Sequence, residues 1–189
     1  MMKTIQVPTR EQVNEEAQAL FDQLQKRLGK VPNLYATIGY SAHALQAFLQ
    51  FETSLNQGAF TGKEREAVAL VVSQVNGCNY CLAAQTMAAV KRGLTQEETL
   101  LIRSGRASDQ KMNTIVQLAK SIAENKGKSA QNLLAQFFEA GYSEAALIEL
   151  TGLVTVRIFT NYVYALTAIP VDFPAAQPLP YALQEQPQS

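Results

Sequence analysis

The chain has 189 residues, enough for one domain with a sizeable core, so it needs no disulfide staples to fold. Sixteen basic and sixteen acidic residues cancel, and no basic cluster exceeds Lys91-Arg92, which argues against a nucleic-acid or anionic-membrane binder. The start, Met1-Met2-Lys3-Thr4-Ile5-Gln6-Val7-Pro8, lacks a signal-peptide core, so a cytoplasmic location is expected.

Helical periodicity dominates and no alternating strand pattern stands out, which predicts an all-α fold. Thr9 can cap a first helix with Glu11 in its first turn. Val13, Ala17, Leu20, Phe21, Leu24 and Leu28 would line one face, and Gly29 would end it. Val31-Pro32-Asn33 reads as a connector. Ser41 can cap a second helix carrying Leu45, Phe48, Leu49 and Leu55 and ending near Gly58. Thr61 with Glu64 forms a capping box for a third, which runs to Val75 and breaks at Asn76-Gly77. A fourth helix spans about Cys78 to Arg92, closed by Gly93, and Thr95 with Glu98 opens another. Further helices are expected over Ser108–Glu124 and Ser129–Glu139, with the last beginning at Ser143.

From Ala145 to Ile169 the chain is largely apolar, but Glu149, Arg157 and Asn161 interrupt it, so it reads as a buried core helix rather than a membrane span. Glu149 and Arg157 are each expected to pair with partners in the core or at an interface, and Tyr162 and Tyr164 to pack there. After Pro170, prolines at 174, 178, 180 and 187 exclude helix. The expected division is one all-helical domain over 1–174 and a Pro-rich tail over 175–189 that either frays or packs on a neighbouring subunit. Gly58-Ala59-Phe60-Thr61-Gly62-Lys63 only superficially resembles a phosphate loop, since its spacing is short and Glu64 stands where Ser or Thr belongs.

The chain has two cysteines, Cys78 and Cys81, spaced C-x-x-C at the predicted start of a helix. Unpaired N–H groups and the helix dipole favour thiolate there, and residues three apart share a face. In a reducing compartment such a pair points to redox chemistry, with two buried hydrophobes as the alternative. One thiol can attack an oxidant and the other resolve the product as a disulfide. Gln85 projects from the same face, and Glu66, twelve residues before Cys78, is a candidate general base if its helix folds back. Zinc is not expected, because two cysteines and the remote His43 do not make four ligands. His43 reads as a surface residue.

The run from Lys63-Glu64-Arg65-Glu66-Ala67-Val68-Ala69-Leu70 through Val75-Asn76-Gly77-Cys78-Asn79-Tyr80-Cys81-Leu82-Ala83-Ala84 resembles the core of the carboxymuconolactone decarboxylase and alkylhydroperoxidase D-like family. Pro32-Asn33-Leu34-Tyr35, Asn161-Tyr162-Val163-Tyr164 and Pro170-Val171-Asp172 are similar to its peroxidase-related branch, so the resemblance spans about residues 30–174. It implies an alkylhydroperoxidase D-like helical bundle, a homo-oligomer, and thiol-dependent reduction of a small hydroperoxide. No cofactor is implied, and an unidentified dithiol or disulfide reductant would restore the thiols. The resemblance also implies that Cys81 is peroxidatic, Cys78 resolving and Glu66 part of a proton relay. One departure matters: the family's histidine, four residues after the second cysteine, is Gln85. Tyr80 stands between the cysteines, where some members also have histidine. Glutamine cannot shuttle a proton near neutral pH as histidine can. Two alternatives therefore stay open: a non-enzymatic redox switch or scaffold, and a decarboxylase-like enzyme.

Overall fold

The computed structural model describes residues 4–183. Nine α-helices and two single 3-10 turns make up its regular structure, with no strand among the described residues. The helices are α1 Glu15–Leu28, α2 Asn33–Ile38, α3 Ala42–Leu55, α4 Gly62–Val75, α5 Asn79–Lys91, α6 Gln96–Arg103, α7 Gln110–Glu124, α8 Gln131–Glu139 and α9 Glu144–Thr167. The predicted all-α class, with its caps at Ser41, Thr61, Thr95 and Ser143, matches this order.

Three local expectations need correction. Thr9 caps only the 3-10 turn Arg10–Gln12; α1 begins after Asn14, whose side chain accepts from the Ala17 amide at 3.0 Å. Asn14 satisfies an orphan amide with a better cap geometry, so the α-helix starts there. Leu28, placed on the apolar face, is exposed. The Pro32-Asn33 connector contains the short helix α2, which Pro32 opens with the fixed φ that suits a helix start.

Helix α4 is the centre of the fold. Ala67 through Val72 are all fully buried, so this helix is apolar on every side and must be surrounded. It packs against α5, α6, α7 and α9. One core cluster joins Leu70, Ile115, Leu118, Phe137, Leu150 and Val154; there the Phe137 and Tyr142 rings stack at 4.6 Å. A second joins Phe21, Leu24, Leu34, Leu45 and Phe48 to Cys78, Tyr80, Cys81, Val156 and Ile169.

Helix α9 is long and apolar enough to cross a membrane, but 44% of its apolar stretch is buried against the rest of the molecule. Leu150, Leu153, Val154, Val156 and Asn161 face inward. The core-helix expectation therefore holds for one face only, because Ile148, Phe159, Tyr162 and Leu166 are exposed on the other.

Over the described residues the C-terminal segment makes contacts with its own chain. Ala168 adopts the left-handed conformation that turns the chain out of α9. Ile169 is then buried, Asp172 binds Lys30 at 2.8 Å, and the Gln177 carbonyl accepts from Arg103 at 2.6 Å. Residues 184–189, with Pro187, and Met1-Met2-Lys3 lie outside the described residues.

Two stability measurements follow from this packing. Leu150→Ala, at a fully buried position, should cost about 2–5 kcal/mol in denaturant unfolding. Burial raises the Asp172 carboxyl, but hydrogen bonds from Lys30, Tyr80 and the Asn33 amide outweigh it and hold it below the usual carboxylate range. A carboxyl lowered on folding stabilises above its unfolded pKa and loses that contribution as pH falls through the native value. Asp172→Asn should therefore flatten the loss of stability below about pH 4, and an unchanged acid limb would contradict the assignment.

Candidate active site

The site begins with the way α4 stops. Gly77 takes φ +61°, a conformation that glycine adopts without penalty. The Cys78 amide bonds the Ser73 carbonyl at 2.9 Å, and the Gly77 amide bonds Gln74 at 3.1 Å. These two bonds form a Schellman ending, which leaves Cys78 positioned to cap the next helix. Its Sγ accepts from the Cys81 amide at 3.2 Å.

The two cysteines are joined as a disulfide with Cα atoms 5.3 Å apart. Only 2% of Cys78 and 4% of Cys81 is exposed. The second core cluster surrounds them, with Tyr35, Tyr164 and Phe173 packed at its edge. Beside them, Asn161 donates to Ser73 Oγ at 3.3 Å and accepts from Asn76 at 2.9 Å, which ties α9 to the end of α4.

Tyr80, between the cysteines, is an anchor. Its hydroxyl donates to Asp172 Oδ1 at 2.6 Å and accepts from the Leu34 amide at 3.1 Å. Burial first, and the Asp172 bond second, push its phenol far above the usual range, so it remains a donor. Phe173 meets the Tyr80 ring edge-on at 5.6 Å, and Lys30 Nζ lies 3.9 Å from the centre of the Phe173 ring.

Glu66 is buried on α4, and its Oε1 accepts from Arg92 Nε at 2.8 Å. Its Oε2 is buried without a hydrogen-bond partner. The α4–α5 hairpin sets Glu66 nine residues before the end of α4, roughly 13 Å along the axis at the α-helical rise. Cys78, Cys81, Gln85 and Arg92 recur at three, four and seven residues, so they line one face of α5. Gln85 thus lies between the sulfurs and the Arg92–Glu66 pair. It is half-buried, and its side chain makes no hydrogen bond among the described residues. The fold brings the two cysteines together and sets Glu66 further down the hairpin, with no hydrogen bond to either.

A second buried ion pair joins Arg157 of α9 to Glu52 of α3 at 2.8 Å. The Arg157 Nε is buried without a partner, as is Thr86 Oγ1 on α5. Burial works against the Arg157 charge, but Glu52, Tyr35 and Glu66 favour it and raise its pKa overall. Breaking such a pair from one side costs about 3–5 kcal/mol. Glu149 instead accepts from the Ala59 amide at 2.6 Å, bracing the turn that superficially resembled a phosphate loop. His43 is exposed in the first turn of α3 and is not part of the cysteine cluster.

Sequence reasoning missed Arg92 as the partner of Glu66, Glu52 as the partner of Arg157, and the Tyr80–Asp172–Lys30 contacts. Arg92 had a signal, since it repeats the spacing of Cys78 and Gln85. The other partners come from separate elements far apart in sequence, and no periodicity connects them.

The family model for the carboxymuconolactone decarboxylase family matches residues 41–125, which span α3 to α7 and contain Glu66, Cys78, Cys81 and Gln85. No curated protein matches the sequence. Among solved structures, a variant of the debrominase Bmp8 in complex with 2,3,4-tribromopyrrole superposes with a TM-score of 0.76 at 17% identity, covering 90% of this chain and 93% of that one. The alkylhydroperoxidase AhpD core of an uncharacterized peroxidase-related protein from Ralstonia eutropha JMP134 gives 0.78 at 16%, covering 88% and 90%. An uncharacterized peroxidase-related protein from Silicibacter sp. TM1040 gives 0.74 at 21%, covering 89% of each. These likenesses carry the fold, which is alkylhydroperoxidase D-like, and over residues 41–125 the sequence matches the carboxymuconolactone decarboxylase family.

Proposed function

We propose that the protein is a thiol-dependent reductase of small hydroperoxides. The observation that carries this reading is the Cys78–Cys81 pair, one turn apart where α5 begins and close enough to be joined. In the reduced state the Cys81 thiolate attacks the terminal oxygen of the peroxide. The O–O bond breaks, the alcohol or water leaves with a proton, and Cys81 becomes a sulfenic acid. The Cys78 thiolate then attacks that sulfur, water departs, and the disulfide forms. Two electrons from a dithiol reductant restore both thiols. A cytoplasmic setting would keep the resting pair reduced.

Glu66 is the proposed base of the relay, reaching the sulfurs through Gln85 or water rather than directly. Gln85 can orient a water but cannot accept a proton as histidine does, so slow turnover is expected. That weakness, with the burial of both sulfurs, favours a redox switch as the second reading. The debrominase among the similar structures shows that this fold hosts other chemistry. A decarboxylase is disfavoured because it would not need the cysteine pair, and a double cysteine-to-serine variant should retain such an activity.

Homo-oligomerisation is proposed through the exposed face of α9, where Ile148, Phe159, Tyr162 and Leu166 leave an apolar stripe uncovered. Leu166→Glu should lower the solution mass measured by light scattering; an unchanged mass would place any interface elsewhere.

Turnover with excess peroxide and dithiothreitol tests the enzymatic reading. Cys81→Ser should abolish peroxide consumption, and Cys78→Ser should leave Cys81 over-oxidised in mass spectra. Wild-type consumption equal to that of Cys81→Ser would end the assignment. Gln85→His should raise the rate, by up to about a hundredfold, if the missing proton carrier is limiting. An unchanged rate would show that protons move by another route.

A further inference from the structure

The segment that follows α9 completes the core cluster in which the disulfide is buried. Ile169 is buried in the same cluster as Cys78 and Cys81, and Phe173 packs on Tyr80. Asp172 gathers three donors from two distant elements: Lys30 Nζ at 2.8 Å, Tyr80 Oη at 2.6 Å and the Asn33 amide at 3.3 Å. Asn33 Nδ2 also binds the Pro170 carbonyl at 3.0 Å. Beyond Phe173 the segment has no regular structure until Tyr181, and its described residues are exposed or half-exposed. The Arg103–Gln177 bond holds it there, with Arg103 steadied in turn by Gln74 at 2.9 Å. The result is a strap that begins at the left-handed turn of Ala168 and is fixed beside the cysteine helix by Asp172.

We propose that this strap selects the reductant by size: it keeps folded dithiol proteins from the Cys78–Cys81 disulfide and leaves regeneration to a small dithiol, with Tyr80 and Asp172 as the positioning residues that set the selectivity. The proposal rests on the reading that the pair cycles between dithiol and disulfide. Thiol–disulfide exchange requires the attacking thiolate to approach in line with the S–S bond. A folded protein can achieve this only where a sulfur is presented at the surface, and here both are almost wholly covered. A small dithiol needs only a local opening beneath the strap. One of its thiolates attacks Cys81 Sγ, the bond to Cys78 breaks, and Cys78 leaves as a thiolate held by the Cys81 amide. The second thiol, as thiolate, attacks its own sulfur in the mixed disulfide. Cys81 is released and takes up a proton, and the reductant departs as a cyclic disulfide carrying the two electrons' worth of oxidation.

Tyr80 is what makes the latch local to the chemistry. It sits between the two cysteines, so the hydroxyl that holds Asp172 belongs to the same helical turn as the sulfurs. Removing one hydrogen bond to a charged group should open the strap about tenfold more often.

The test starts from the oxidised protein and follows the appearance of free thiols, so it reads out whether or not peroxide is a substrate. Dithiothreitol and reduced thioredoxin are compared on the wild type, Tyr80→Phe and Asp172→Asn. The wild-type disulfide should react readily with dithiothreitol and hardly at all with thioredoxin. Either substitution should raise the thioredoxin rate by about tenfold or more while changing the dithiothreitol rate by less than about threefold. Ready reduction of the wild type by thioredoxin would overturn the proposal without any variant. Equal acceleration of both reagents would also overturn it, since the latch would then stabilise the region without filtering. Tyr80→Phe keeps the ring and its packing, so it guards against misreading a folding defect in Asp172→Asn. Failure of peroxide turnover, with the size selectivity intact, would count against the peroxidase reading alone.

Discussion

The rest of the site depends on how one helix ends and the next begins. The Gly77 turn closes α4 with a Cys78 amide bond to Ser73 and, within the same residue, offers the Cys78 sulfur as the cap of α5. Backbone satisfaction and sulfur placement are thus one constraint. A side chain at Gly77 would strain its left-handed conformation, and a shift of one residue in the turn would remove the sulfur from the cap. The candidate site residues on α5 inherit their register from this point: Cys81 one turn on, Gln85 two turns on, and Arg92 at the far end against Glu66.

The turn is held in place because α4 is the buried centre. A helix with six consecutive fully buried residues cannot rotate or slide without exposing apolar surface on some side. Its few polar side chains are correspondingly committed. Ser73 meets Asn161 of α9, and Glu66 meets Arg92 of α5. The free Glu66 Oε2 is the exception, a buried acceptor with nothing to accept from. Unsatisfied buried polar atoms are costly, and this one, set down the hairpin from the cysteines, is the acceptor that the proposed proton relay would use.

Much of this was legible in the sequence because the relevant physics is local. Ser41, Thr61, Thr95 and Ser143 announce helix starts through side chains that bond amides two or three residues away. Asn76-Gly77 announces the break, and the cysteine spacing announces the shared face. Thr9 misled because Asn14, a few residues on, competes for the same task and takes it. The partnerships of Glu66, Arg157 and Tyr80 were not legible, since each is made by a side chain from another helix or loop. The course of the C-terminal strap was invisible for the same reason: prolines say where helix cannot be, not where the chain goes.

The central claim is that Cys78 and Cys81 act as one two-electron unit toward peroxide. It is tested most directly by adding one equivalent of hydrogen peroxide to the fully reduced protein, counting the remaining thiols, and locating the products by mass spectrometry. Both thiols should vanish together into a Cys78–Cys81 disulfide that dithiothreitol fully reverses. Unreacted thiols, or a singly oxidised cysteine with its neighbour still free, would contradict it.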